Sequence, residues 1–318
     1  MAKSSIELRV NKKKLESLVN IVLEMMHNKK PPFNSKSPFP DAIVPQGIIR
    51  GSRDHALYLF YGCSLDSRQR AEDVYKGMRG FARDTDLFTL HTLNKEELGR
   101  LIRKNFKNPE TSKAIEATFT NSRILKDKYS GDPRRIHPRY LVQSTYEELL
   151  ETYKRLDEFA QLQNGVGKAA LLVKNYVRFE IWRFDPTQIY VKVDVHLNRI
   201  GLANAIDFYK GEEKVPASEV GYVRQERVVK VLTPAILELT REKRISAVNL
   251  DDALWLLGSK LCNLNRHSSC RSFCDIKCPI RPQLDDTKSS LDPGRDCRIH
   301  YGIQRKSYDP SQKTFDFL

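Results

Sequence analysis

Outside one short stretch the chain has almost no cysteine: of six, only Cys63 and Cys297 fall outside residues 262–278. Thinly spread thiols give no disulfide framework to staple a fold, so the packed core must hold it. Long apolar runs are missing too. None approaches the ~18 residues of a spanning helix, which excludes a helical membrane protein. The basic, apolar opening "KKKLESLVNIVLEMMHNKK" is broken by Glu16, Asn20 and Glu24, and no small-residue cleavage site follows it. Its apolar residues Leu15, Leu18, Val19, Val22 and Met26 recur at helical spacing, so an amphipathic helix is expected in place of a secretory leader. The expected compartment is therefore reducing, cytoplasmic or nuclear, where clustered cysteines bind metal more often than they pair. Internal repeats and long low-complexity tracts are also absent.

Acid is short relative to base: 40 Asp and Glu against 54 Lys and Arg leave a formal charge of +14. Such a surplus calls for an acidic partner. Nucleic acid suits it best, because a phosphate backbone rewards clustered cations by counterion release, and anionic membrane is the competitor. Hydrophobic residues make up 40% and charged residues 30%, the balance of a globular protein with a real core.

The organisation reads as mostly α. "NKKPPFNSKSPFPDAIVPQG" is a Pro- and Ser-rich linker. Helices are expected through "DHALYLFYGCSLD", "SRQRAEDVYKGMRGFA", "NKEELGRLIRKNF" and "TSKAIEATFTNSRILKDKYSGD". "TYEELLETYKRLDEFAQLQ" follows, with Thr145 and Glu148 in a capping-box pattern. A short strand or extended segment fits Ile189 to Val193. Helices resume at "HLNRIGLANAIDFY", "ERVVKVLTPAILELTREK" and "NLDDALWLLGSKLC", the last capped by Asn249. Cys63 reads as a buried apolar residue.

Two short stretches carry chemistry. Gly165, Val166 and Gly167 sit between a helix that ends and one that begins, with Lys168 beside them. Glycines let the backbone turn tightly against a ligand, and the unsatisfied amides of the next helix form an anion site. That is the arrangement of a helix-hairpin-helix gripping a DNA phosphate; a plain turn is the alternative. In "VKVDVHLNRIGL", Asp194 stands where an extended apolar segment gives way to a helix. As an N-cap it is simply structural. A carboxylate fixed at a helix mouth is also what cleavage of a sugar–base bond needs, since the departing base leaves an oxocarbenium-like sugar. The lone histidines His137 and His196 read as structural or DNA-facing.

Cys262, Cys270, Cys274 and Cys278 follow with spacing C-x7-C-x3-C-x3-C. A straight helix would spread the last three over about 12 Å, so the segment must curl round its ligand. Four thiolates suit a [4Fe–4S] cluster or a tetrahedral zinc, and Cys297 is a spare donor. Arg266, His267, Arg271 and Lys277 give the loop a basic surface.

In this order, the Gly-Val-Gly hairpin, the Val-Asp-x-His segment, the Leu-Trp-x-x-Gly helix and the four cysteines resemble endonuclease III and the wider iron–sulfur helix-hairpin-helix DNA glycosylases. The resemblance runs from about Asp54 to Pro279. It implies an all-helical, two-lobed molecule with a six-helix barrel over 51–185. Residues 186–318 would hold the aspartate helix, the cluster loop and the tail, with 1–50 packing on that lobe. It further implies a [4Fe–4S] cluster rather than zinc on Cys262, Cys270, Cys274 and Cys278, catalysis by Asp194, and DNA binding by Gly165, Val166, Gly167 and Lys168. The partner would be double-stranded DNA with a flipped base, met by a monomer. The chain departs from the pattern in four places. Strand-nicking members carry a lysine where this chain has Ala169, while Lys168 points about a hundred degrees away round the helix. The path from hairpin to aspartate is longer, which brings Lys192 into consideration, and Asp66 matches only loosely the general acid of adenine-mismatch enzymes. The cysteines keep the outer separation while the inner two are displaced. The expected activity is hydrolytic release of a damaged or mismatched base. The alternatives are a glycosylase/lyase with a relocated lysine and a non-enzymatic nucleic-acid-binding module.

Overall fold

The computed structural model describes residues 6–29, 33, 43–66, 71–107, 111–163, 167–215, 220 and 223–261. In chain order its elements are β1 (Glu7–Val10), α1 (Lys12–His27), α2 (Arg53–Leu65), α3 (Ala71–Asp84), a 3-10 turn (Leu87–Thr92), α4 (Lys95–Asn105) and α5 (Thr111–Tyr129). A second 3-10 turn (Pro133–Ile136), α6 (Tyr146–Leu156), α7 (Lys168–Arg178), α8 (Val195–Asn204), β2 (Ile206–Lys210), β3 (Glu213–Val215), α9 (Gln225–Glu242) and α10 (Ala247–Leu256) follow, and a π turn spans Leu257–Leu261. The chain is mostly helical, as its composition and periodicity predict. It separates into two compact units. One comprises Met1–Ser35, Val193–Leu239 and Leu250–Leu318; the other comprises Lys36–Lys192 and Thr240–Asn249. These divisions fall at 35/36 and 192/193, where the sequence suggested 50/51 and 185/186.

In the unit built on residues 36–192, α2 is the axis. Every residue from His55 to Leu65 is buried, so α3, α5 and α7 can pack against different sides of it. Ser52 caps the helix by accepting from the His55 amide at 3.2 Å. Tyr176 of α7 donates its hydroxyl to the Ala56 carbonyl at 2.7 Å, and Tyr58 reaches the Tyr75 carbonyl at 3.2 Å. Both buried phenols thus place their polar ends on backbone groups. Capping boxes open α4 (Asn94 with Glu97) and α6 (Thr145 with Glu148), the second as its sequence pattern indicates. Cys63 is buried in α2.

In the other unit a three-stranded antiparallel sheet runs β1-β2-β3, with Leu8 opposite Phe208 and Phe208 opposite Val215. Asp207 lies among Asn11, Lys14 and Lys214. Burial works against its charge, but these partners outweigh it and hold the carboxyl below its ordinary range. Helix α1 packs on α8 through an apolar stripe of Leu15, Leu18, Val19, Val22 and Met25.

Three local expectations are revised. "AIDFY" does not continue the preceding helix: α8 ends at Asn204, and residues 206–209 pair with β1. Ile189 to Val193 form no strand. Helix α10 begins at Ala247, so Asn249 lies inside its first turn, and its amide points to the Ser246 hydroxyl at 3.5 Å. Serine in that position has the side-chain acceptor a cap requires.

Candidate functional site

The segment entering α8 alternates buried and half-buried residues: Ile189, Val191 and Val193 turn inward, while Tyr190 and Lys192 stay half-buried. The Val193 carbonyl is fixed by the Gln225 side-chain amide at 3.3 Å. Asp194 then takes extended backbone angles (φ −89°, ψ −169°) and caps α8. One carboxylate oxygen, Oδ1, accepts both the His196 amide at 2.8 Å and the Leu197 amide at 3.0 Å. Oδ2 has no hydrogen-bond partner among the described residues, and the side chain is half-buried. The cap thus uses one oxygen and leaves the other uncommitted. One turn on, Asn198 is 4% exposed, and its Oδ1 is buried without a hydrogen bond. Helical side chains lean toward the N-terminus, so this amide lies on the Asp194 side of the helix.

The Val-Asp-x-His and Leu-Trp-x-x-Gly stretches, 60 residues apart in sequence, meet here. The His196 ring stands edge-on to Trp255, with centroids 6.4 Å apart and planes at 85°. Gly258, in the π turn, backs directly onto His196: a Cβ there would lie 2.4 Å from the His196 Cβ. Only a residue without a side chain fits that approach. The π turn ends at Leu261, and the next residue is Cys262. Cys262, Cys270, Cys274, Cys278 and Cys297 lie outside the described residues, and among the described residues no cluster of His, Cys, Asp or Glu is arranged to hold a metal.

The other expected element belongs to the unit of residues 36–192. Gly165 and Val166 lie outside the described residues; Gly167 and Lys168 are described. Gly167 opens α7 with φ +68°, which favours glycine, and a Cβ added there would meet nothing within 4 Å among the described residues beyond its chain neighbours. Its carbonyl accepts the Leu171 amide at 3.0 Å, and it has no side chain with which to cap. The amides of Lys168, Ala169 and Ala170 therefore have no acceptor within their own helix. Lys168 bonds through Nζ to the Gln161 side chain, and Gln161 itself has φ +67°. Ala169 is fully buried.

The loop leading to this turn is anchored from α5. Buried Asn121 accepts the Ala160 amide at 2.8 Å and donates to the Ala160 carbonyl at 3.1 Å and to Ser64 Oγ at 3.3 Å. Asn121 was not a sequence candidate; a polar residue in the middle of an apolar helical stripe was the available signal. Asp66, at the C-terminus of α2, pairs with Lys192 at 3.7 Å, and both are about one-fifth to one-quarter exposed. Sequence reasoning nominated the two separately, and the fold brings them together. His137 is fully buried and hydrogen-bonded, hence structural.

The chain matches no model of a known protein family and no curated protein.

Proposed function

We propose that this protein is a DNA glycosylase of the two-lobed helix-hairpin-helix type, releasing a damaged or mismatched base by hydrolysis. The observation that carries the reading is the divided carboxylate of Asp194: Oδ1 is held by two helix amides and Oδ2 is left for a ligand. As the C1′–N bond breaks, its electron pair leaves with the base and positive charge develops on the sugar. A fixed anion stabilises that charge and aligns a water, whose oxygen forms the new bond to C1′ and whose proton leaves through the carboxylate. The unpaired side-chain oxygen of Asn198 is a second anchor for such a water. The uncapped first turn of α7 at Gly167 suits a backbone phosphate, with Lys168 adding charge. The surplus of 54 basic over 40 acidic residues fits duplex DNA as the partner.

Two features favour hydrolysis over lyase chemistry. Ala169 has no amine to attack C1′, and Lys192 is ion-paired with Asp66, which engages its nitrogen with a carboxylate. The donor set of Cys262, Cys270, Cys274 and Cys278 suits a [4Fe–4S] cluster, which when bound would stiffen the loop following the π turn. Such a repair enzyme would work as a monomer in the cytoplasm or nucleus.

The test is a panel of duplexes, each bearing one lesion or mismatch, assayed for base release by the wild type and by Asp194→Asn. The substitution keeps an oxygen for the two cap amides but removes the charge. Release should fall by at least about 100-fold while duplex binding is retained. Release undiminished in Asp194→Asn would overturn the reading.

A further inference from the structure

Asp66 and Lys192 form an ion pair at 3.7 Å within the unit of residues 36–192, with side chains 24% and 21% exposed. Ion pairs open to water add little stability, so bracing alone is a weak reason for this one. The segment carrying Lys192 is already held without it. The Tyr190 amide donates to the Tyr153 hydroxyl at 3.3 Å, the two rings pack at 4.8 Å, and Ile189 and Val191 are buried. Nor are the two charges locked head to head. A charge-assisted hydrogen bond lies at about 2.7–2.9 Å, whereas at 3.7 Å ammonium and carboxylate stand side by side. The Asp66 carboxylate accepts no hydrogen bond among the described residues. Its backbone is fixed nonetheless: Asp66 is the C-cap of α2, and its amide donates to the Gly62 carbonyl at 3.1 Å.

An ammonium beside a carboxylate sets hydrogen-bond donors next to two acceptor oxygens. An extruded base is read through contacts of this kind on its Watson–Crick edge. The four bases fit the pair unequally. Guanine alone presents two adjacent donors, N1–H and N2–H, beside one acceptor, O6. A carboxylate can take both donors while the ammonium takes O6, so both carboxylate oxygens and the whole edge are satisfied. Adenine and cytosine each present a single donor group there, which leaves one carboxylate oxygen idle. Thymine has its N3–H between two carbonyls, and the second carboxylate oxygen would be pressed against one of them.

We propose that Asp66 and Lys192 read the edge of an extruded guanine-type base, Asp66 at N1–H and N2–H and Lys192 at O6. The inference rests on the glycosylase reading above for the presence of a flipped nucleotide, and it names the substrate class. That class is guanine itself, or a guanine altered on its imidazole side, where O6, N1 and N2 are intact. Lys192 stands two residues before Asp194, at most ~7 Å of chain. A purine is about as wide, and its sugar bond and Watson–Crick edge lie on opposite sides of the ring system. The two side chains select the base and take no part in breaking its bond.

Binding of free nucleosides, followed by NMR titration, tests the proposal without DNA and without base release. Deoxyguanosine should bind the wild type about tenfold more tightly than deoxyinosine, which lacks only the N2 amine, and than deoxyadenosine. Asp66→Asn cannot accept both donors and should abolish the discrimination against deoxyinosine. Lys192→Met should weaken deoxyguanosine binding about tenfold. A purely structural ion pair predicts something else: lower urea midpoints in both variants and no nucleoside preference in the wild type. The wild-type comparison stands even if a variant fails to fold. Equal affinity for deoxyguanosine and deoxyinosine, a preference that survives Asp66→Asn, or no binding of deoxyguanosine up to its solubility limit would overturn the proposal. Base release from the duplex panel separates it from the previous reading. Asp194-dependent release without preference for guanine-type bases keeps the glycosylase and removes the reader; nucleoside discrimination without release does the reverse.

Discussion

Replacing Gly258 with alanine would put a methyl carbon 2.4 Å from the His196 Cβ, 3.1 Å from its Cγ and 3.3 Å from its Cα. Carbon atoms settle at about 3.5–4.0 Å, so the π turn and the first turn of α8 must separate by about 1 Å. Rotating the imidazole cannot relieve the contact, because the nearest atom is the Cβ and backbone lies behind it. Overpacking of this kind costs ~1–3 kcal/mol, offset in part by the ~0.5–1 kcal/mol that alanine gains over glycine in helical backbone. A net loss of about 1–2 kcal/mol should lower the urea midpoint. The displacement also acts on the cap. The His196 amide donates to Asp194 Oδ1 at 2.8 Å, and a shift near 1 Å takes that bond out of range. Exchange of the His196 and Leu197 amides should quicken, and base release should fall although Gly258 does not touch Asp194. His196→Gly removes the obstructing carbon, so the double variant should recover part of the loss, with a coupling energy of ~1 kcal/mol. A Gly258→Ala protein with wild-type midpoint and wild-type exchange at those amides would refute the argument.

Two further predictions follow from buried polar groups. Burial pushes the His55 imidazole down to about 4, with Arg50 adding repulsion, and burial does the same to His137. Unfolded histidine titrates near 6.5, so as pH falls from about 6.5 to about 4 the unfolded chain takes up protons that the folded chain refuses. Stability should be full above that window and lost within it, by up to about 3 kcal/mol per histidine. Urea midpoints at neutral and acid pH should show that slope, and His137→Gln should flatten it; an unaltered slope excludes His137 as a cause. Asn121→Ala removes the three hydrogen bonds that anchor Ala160 and Ser64, and should cost ~2–3 kcal/mol. It should also weaken duplex binding by loosening the approach to Gly167, and retained binding would detach that loop from DNA recognition.

What the sequence made legible was local. Thr145 with Glu148 announces its helix within four residues, and Asp194 stands at the break between alternating and helical patterns. Asn249 misled because it is itself a good cap residue, while the serine three positions earlier occupies the end of α10. Strand β2 was unreadable for a different reason. Its five residues directly follow a helix, and its partner β1 lies about 200 residues upstream, so nothing nearby distinguishes it from a helical tail. The ion pair of Asp66 with Lys192 and the anchoring of Ala160 by Asn121 are both products of tertiary contact. Periodicity carries no trace of which polar residue meets which.

The pairing of β1 with β2 has a bearing on biosynthesis. Residues 7–10 leave the ribosome early but obtain their partners only when 206–210 have been made, and nearly all of the Lys36–Lys192 unit is complete by then. That unit should therefore fold first, looped out from an amino-terminal strand that waits with an unsatisfied edge. Nascent chains halted after residue 192 should resist protease over most of 43–192 while 6–29 is still cut, and chains long enough to expose β2 should protect both.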